Sequence, residues 1–406
     1  MVLTKSNEND YEEKIKKNIK KGLKYIFTQQ KDDEKDDDYG GFSPYPISRN
    51  SAGVIATSDV ITSLLLLLKE IEFDQNFKKE ILEMKVKNKT LIERIGMATN
   101  FILNSQILDY DYEEEQRGGF PPKGDIYNIC TIAFSDSTAT AVLALLHVLN
   151  NMEEYKIVLR KQGGGEITKE ELKERISLGI NWLIRNFNSD NLLPTYISKK
   201  ESSIEKRLFP LIFTGLSFFV AVTEKEEIKD KETITTKLEE IVNILGNLIK
   251  ENGYVPFNLN EKESPSFFNT FTALQLLWLK KHIHYEDVVN NLKKRLEENI
   301  GKLGGQTLRR KIKIYTDFDY IDTSKISEAF PFYEATYFFL PPLLSILMTY
   351  NTPLEEVKNG IEELINLAGK NDHFYCYEDR GGLEIAISAT ASTILTMGTF
   401  LRIIKG

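Results

Sequence analysis

Tryptophan, histidine and cysteine are all scarce in this 406-residue chain, with two Trp, four His and two Cys. Cys130 and Cys376 are too few for a disulfide framework, and the polar start from Met1 to Asp10 has no apolar h-region. Both features point to a reducing, cytoplasmic setting. Long hydrophobic runs are missing as well. The longest leucine run, Leu64 to Leu68, is far too short to span a bilayer, so a soluble protein without a transmembrane segment is expected. Positive charge is not in excess: 52 Lys and Arg face 60 Asp and Glu, for a net charge of −8. That balance argues against a nucleic-acid partner. No Ser-His-Asp, Cys-His or nucleotide fingerprint is visible. Gln162-Gly163-Gly164-Gly165 lacks a following Lys-Ser/Thr and a preceding strand, and reads as a flexible turn. Nor does any Pro/Gly/Ser-rich linker divide the chain. Residues 1–406 are therefore read as one domain, although length alone would favour two or three.

What is present is repetition. Hydrophobic residues make up 41% of the chain, enough for a large core, and they fall into six pairs of helices. The first helix of each pair is charged on one face: Tyr11–Gln30, Lys89–Gln106, Lys169–Phe187, Thr233–Glu251, Tyr285–Lys302 and Pro353–Lys370. The second is apolar nearly all round and rich in small residues: Thr57–Ile71, Asp136–Asn151, Leu208–Thr223, Ser266–His282, Tyr333–Tyr350 and Ile385–Ile404. An amphipathic helix belongs on an outer wall, and a uniformly apolar one is packed from several directions. Joints between them repeat too, as Gly40-Gly41-Phe42, Gly118-Gly119-Phe120, Gly253-Tyr254-Val255 and Gly381-Gly382-Leu383. The pattern describes an all-α protein, an (α/α)6 toroid of six helical hairpins, closed rather than an open solenoid because the end pairs are no more polar than the middle ones.

Insertions interrupt the pattern. Lys31–Asp38 is an acidic, solvated loop. Gly304 to Ser327 carries alternating segments that suggest a small β-hairpin near 305–325, a candidate lid or protein-partner surface.

The repeat resembles the terpene cyclase and prenyltransferase repeat proteins, a group that includes squalene–hopene cyclases, class II diterpene cyclases and protein prenyltransferase β-subunits. Gln29 or Gln30 before Gly40-Gly41-Phe42, and Gln106 before Gly118-Gly119-Phe120, carry the likeness best. It implies a central apolar cavity, an isoprenoid ligand and, for class II, alkene protonation by an Asp in Asp-x-Asp-Asp-Thr-Ala. The matching stretch here is Phe134-Ser135-Asp136-Ser137-Thr138-Ala139, in which Asp136 falls on the acid and Phe134 replaces the first Asp. The bland reading makes Asp136 the cap of its own helix. The family's zinc-dependent branch needs Asp, Cys and His ligands. Only Asp372, His373 and Cys376 cluster, at a spacing that does not match, so no metal is expected.

Candidate substrate-binding residues are the polar groups at the starts of other inner helices, Asp59, Asn269, Glu334 and Ser388, with the aromatics Phe271, Trp278 and Tyr337 to steady a cation. Arg117 and Arg380, with Arg49 and Lys123, would hold a diphosphate. No cofactor is expected unless the substrate is a diphosphate, which would bring Mg²⁺. Two rivals stand beside the isoprenoid reading. One is a non-catalytic toroid that acts as a scaffold. The other is a carbohydrate-active (α/α)6 enzyme with paired carboxylates, Asp136 with Glu334 or with Asp59.

Overall fold

The structure, a computed structural model, describes residues 5–44, 51–108, 114–124, 132–161, 164–187, 192–194, 207–223, 228–256, 259, 266–281, 344–349, 354–369, 377–378, 383–384 and 387–405. Outer helices are α1 (Lys5–Gln29), α4 (Leu91–Ser105), α6 (Lys169–Arg185), α8 (Lys231–Asn252) and α10 (Leu354–Gly369). Inner helices are α2 (Val54–Glu70), α5 (Ser135–Tyr155), α7 (Phe209–Thr223), α9 (Phe267–Leu279), the helical residues 344–349 and α11 (Ile387–Lys405). The expected outer helix Tyr285–Lys302 and the hairpin near 305–325 lie outside the described residues.

Burial separates the two sets as the composition requires. In α5 every residue from Ser135 to Leu146 is buried. In α6 burial is confined to one stripe, Leu172, Ile176, Gly179, Ile180, Trp182 and Leu183. The outer helices α4 and α6 begin with reciprocal capping boxes, Thr90 with Glu93 and Thr168 with Glu171, which satisfy their first free N–H groups.

The inner helices form a ring. Helix α11 packs on α2, α2 on α5, α5 on α7 and α7 on α9, while Ser345 in 344–349 meets Thr396 of α11 at 3.3 Å. Each outer helix leans on the inner helix of the preceding hairpin: α4 on α2, α6 on α5, α8 on α7 and, across the join, α1 on α11. The join is an ordinary seam. Val54 N–H donates to the Pro122 carbonyl of the next hairpin, and Ile387 N–H donates to the Pro44 carbonyl of the first hairpin in the same way. Glu70 with Arg402 at 2.7 Å and Lys405 with Glu12 at 2.5 Å complete it. The chain is a closed (α/α)6 toroid.

The Gly-Gly-Phe joints repeat atom for atom. Phe42 N–H donates to Thr57 Oγ1, Phe120 N–H to Thr138 Oγ1 and Val255 N–H to Thr270 Oγ1, at 3.0, 3.0 and 2.9 Å. Gly40 and Gly118 take φ of 88° and 94°, and a Cβ on either would collide with the carbonyl of Met97 or Leu178 on the next outer helix. Into that close approach reaches a glutamine. Gln30 Nε2 donates to the Gly40 and Arg94 carbonyls, and its own oxygen accepts from Arg94 Nη1 at 2.9 Å. Gln106 does the same with the Gly118 and Arg175 carbonyls, with Arg175 Nη1 at 3.3 Å. Each clip ties one outer helix to the next.

Two features have no counterpart in the sequence reading. A short helix α3 (Gln75–Glu83) follows α2, and the hairpin β1 (Lys85–Val86) and β2 (Lys89–Thr90) follows α3. Lys87 and Asn88 turn the hairpin with φ of 48° and 64°, the backbone of a type I′ turn. A second pair, β3 (Tyr377–Glu378) and β4 (Leu383–Glu384), precedes α11. Helix α11 is also the one described helix long and apolar enough to cross a membrane. Its place in the ring, packed between α1 and α2, accounts for that apolarity.

Candidate functional site

One stripe on three inner helices, α2, α7 and α11, escapes full burial, at a spacing of three or four residues. On α2 it is Ile55, Asp59, Thr62 and Leu66; on α7 Phe209, Phe213, Leu216 and Val220; on α11 Ser388, Ser392, Leu395 and Thr399. Outer helices cover these elements from outside and neighbours cover them sideways, so the open stripe faces the lumen. The lumen has two unlike walls. Helices α2 and α11 present hydroxyls and a carboxyl. Helices α7 and α9 present stacked rings, with Phe209 and Phe213 centroids 4.4 Å apart and Phe268 at 5.9 and 6.3 Å from them.

Two acids stand at the mouth formed by the inner-helix starts, in non-equivalent places. The threonines that receive the joint N–H groups align the repeats, Thr57 with Thr138. Asp136 precedes its threonine by two residues and Asp59 follows its own by two, so Asp59 sits one helical turn deeper.

Asp59 is surrounded by protein but keeps a partly open surface, as a lumen-lining group does. Burial pushes its carboxyl up to about 7, and a hydrogen bond from Ser388 on α11 offsets only part of that rise. Such an acid holds its proton near neutrality. Asp136 is buried at 8% exposure and burial raises it also, but the Arg207 guanidinium, 3.1 Å from Oδ2, opposes the rise. Its Oδ1 has no hydrogen-bond partner among the described residues. Three turns further along α5, His147 is pushed down to about 4, by burial first and by Lys69 second, and is neutral at pH 7.

The cap reading of Asp136 is corrected here. The N-cap of α5 is Phe134 and no side chain caps it. Ser135 Oγ donates instead to the Pro194 carbonyl, and Ser137 Oγ to the Phe120 carbonyl at 2.9 Å, so Asp136 is left for the ion pair.

The other expected residues scatter. Ser388 meets Asp59. Asn269 is 2% exposed and spends its amide on the Pro256 carbonyl, so it braces its own joint. Phe271 is fully buried in the core beside the lumen wall rather than on it. Trp278 is 49% exposed near the end of α9, about 15 Å along the helix from Phe268 at 1.5 Å per residue. Arg117 lies in the second joint, where its carbonyl accepts from Arg185 at 2.8 Å. Lys123 spreads over the Phe101 ring at 4.7 Å. Glu334, Tyr337, Arg380 and Arg49 lie outside the described residues, as do Asp372, His373 and Cys376. Among the described residues no group of three or more potential ligands gathers for a metal ion. Arg207 and His147 were missed by the sequence reading. The available signals were a Lys206-Arg207 pair immediately before the apolar α7 and a lone imidazole inside the apolar α5.

No family model and no curated protein matches this chain in sequence. Solved structures do match in fold. A glucoamylase from Saccharomycopsis fibuligera aligns with TM-score 0.61 at 14% identity, over 97% of this chain and 95% of that one. An alpha-amylase from Clostridium perfringens aligns with TM-score 0.58 at 11% identity, over 94% and 97%. A sugar epimerase from a ruminal bacterium gives 0.57 at 10%, over 97% and 99%. At these identities the likeness establishes the shared (α/α)6 architecture. No terpene cyclase is among these three.

Proposed function

We propose that this protein is an acid–base enzyme whose lumen takes a neutral, hydroxyl-bearing, carbohydrate-like ring, in a cytoplasmic setting. The observation that carries the reading is the unlike pair of carboxyls at the mouth. Burial pushes the Asp59 carboxyl up to about 7 with no charged group among the described residues acting on it, whereas at Asp136 the Arg207 guanidinium, which cannot give up its own charge, opposes the rise that burial causes. Environments that set two carboxyls apart define an acid and a base. Asp59 gives its proton to the oxygen that leaves, the C–O bond breaks, and water adds to the carbon while its proton passes to Asp136. The two walls suit such a ligand: hydroxyls meet α2 and α11, and the C–H face of the ring lies on the Phe209, Phe213 and Phe268 stack. The stripe left open along the inner helices favours a ligand site over a plugged scaffold. The sugar-acting proteins that share the fold lend the reading support by analogy only.

A second reading rests on its own observation. The glutamine-clipped Gly-Gly-Phe joints and the wholly apolar stripe of α7 suit an isoprenoid, and Asp59 rather than Asp136 would then protonate the alkene. The test is one panel of oligosaccharides and aryl glycosides and another of prenyl diphosphates with Mg²⁺, each run with wild type and Asp59→Asn. Glycoside turnover abolished by Asp59→Asn is the expected result. Product from a prenyl substrate alone would replace the carbohydrate reading with the isoprenoid one.

A further inference from the structure

The hydrogen bonds that open the inner helices also set their levels. Thr57, Thr138 and Thr270 each accept from a joint N–H, so positions counted from these threonines can be compared across α2, α5 and α9. Asp59 lies two residues past its threonine. Thr62 on α2 and Gln275 on α9 both lie five past theirs, and His147 on α5 lies nine past. At 1.5 Å per residue, Thr62 and Gln275 stand about 4 to 5 Å beyond Asp59 along the lumen, and His147 about 10 Å beyond it. The ring runs α2, α5, α7, α9, which places α9 opposite α2 in a ring of six. Thr62 and Gln275 therefore approach one level from opposite walls. Gln275 follows Phe268 by seven residues, two turns, and so shares the face whose ring stacks on Phe209 and Phe213. Helix α5 is buried from Ser135 to Leu146 and first opens at His147.

None of these three side chains is fully buried, and none makes a side-chain hydrogen bond among the described residues. Three residues past His147, Asn150 adds a buried Nδ2 that also has no partner among them. Leu66 and Leu143 stand at the same levels, so the polar groups break an otherwise apolar wall. Polar groups in such a wall are costly unless something completes them. A hydroxyl, an amide and a neutral imidazole each offer a donor and an acceptor, and none carries charge. That set matches the hydroxyls of an uncharged sugar ring. It supplies no counter-charge to a phosphate or a carboxylate, and an isoprenoid tail would leave every member unpaired.

We propose that Thr62, Gln275 and His147 form a second polar station in the lumen, which binds the hydroxyls of the ring lying inward of the bond that Asp59 protonates. The inference rests on the acid–base reading. It narrows the ligand to an uncharged sugar of at least two rings, one on either side of that bond.

The experiment is calorimetric titration of the full-length protein carrying Asp59→Asn with glucose, maltose and cellobiose, so that binding is read without turnover. At least one disaccharide is expected to bind, and more tightly than glucose. Thr62→Val and Gln275→Met, which keep the side-chain volume, should each weaken that binding about tenfold. Nitrogen-15 labelling of the four histidines gives a second reading. The ring signal that His147→Asn removes should shift when the disaccharide binds, which a packing role would not produce. If Thr62→Val or Gln275→Met does not fold, that signal decides alone. No binding of any of the three sugars overturns the proposal, as does binding that leaves both variants and the His147 signal unchanged. Turnover by wild type separates the two claims. Binding that depends on these side chains, with no turnover, keeps the station and removes the acid–base reading. Turnover with undiminished binding in both variants and an unmoved His147 signal does the reverse.

Discussion

Two buried polar clusters, one on the outer wall and one at the lumen mouth, use the same residue types to opposite ends. On the outer wall Arg94 has both Nη groups engaged, one by Gln30 and one by the Val86 carbonyl, and its guanidinium lies over Phe27 at 5.5 Å. At the mouth Arg207 pairs with Asp136, whose second oxygen has no partner among the described residues. The outer cluster ties two helices through both Nη groups of Arg94, although its Nε is buried without a hydrogen-bond partner among the described residues. The mouth cluster leaves a buried carboxyl oxygen incomplete. Buried polar groups that engage one another across helices specify structure, whereas an incomplete carboxyl at the start of an inner helix is a group that a ligand could complete. The contrast predicts that damage to the wall should cost stability and damage to the mouth should cost chemistry.

The sharpest way to break the contrast is at Asp59. Asp59→Asn should lower turnover roughly 100- to 10,000-fold, the range for loss of a general acid, without lowering stability at pH 8. The sign follows from its raised carboxyl. An unfolded chain ionises near 3.8 and the folded one near 7, so wild-type stability is highest at acid pH and falls as pH rises between those values. The lift amounts to on the order of 4 kcal/mol. Denaturant midpoints of wild type and Asp59→Asn measured from pH 4 to 8 should diverge across that window and run parallel above it.

Next in size, Arg94→Ala should cost about 3 kcal/mol in urea unfolding, since it strands Gln30 and the Val86 carbonyl. Activity per folded molecule should stay within twofold of wild type. A large loss of activity in the folded fraction would show that the wall and the mouth are not separable.

Arg207→Met is expected to weaken ligand binding or raise KM about tenfold and, because it leaves Asp136 buried without its cation, to lower stability as well. Calorimetric titration with the best substrate analogue measures it.

The smallest effect sharpens the comparison by extending the wall. At the third seam Asn186 occupies the place of Gln30 and Gln106, the C-cap of the outer helix, and its Nδ2 has no partner among the described residues. Asn186→Gln adds the methylene needed to reach the neighbouring outer helix and should gain about 1 kcal/mol in the urea midpoint.

Much of the wall was legible in the sequence and much of the mouth was not. The alternation of charged and apolar helices, the Gly-Gly-Phe joints and the preceding glutamines all report local demands, namely a face to bury, a left-handed turn and a helix end to satisfy. The clip partners were hidden because Gln30 finds Arg94 and Gln106 finds Arg175 across 64 and 69 residues. No local pattern encodes such distances. Asp136 stood out through its Ser-Asp-Ser-Thr-Ala setting, but its partner lies 71 residues away before a different helix. Asp59 gave no sign of its perturbed state, which comes from burial among helices distant in the sequence. Helix α3 and the β1–β2 hairpin were read through because Lys87-Asn88 is too ordinary a pair to announce a type I′ turn.

The proline-carbonyl bonds that hand two inner helices to the following hairpin, Val54 to Pro122 and Ile387 to Pro44, make no distinction between neighbours in sequence and neighbours brought round by closure. The ring thus has no architectural beginning. With Lys405 already touching Glu12 at 2.5 Å, a circular permutant that fuses the old ends through a brief linker and opens at the exposed Gly164-Gly165 turn should fold into the same toroid.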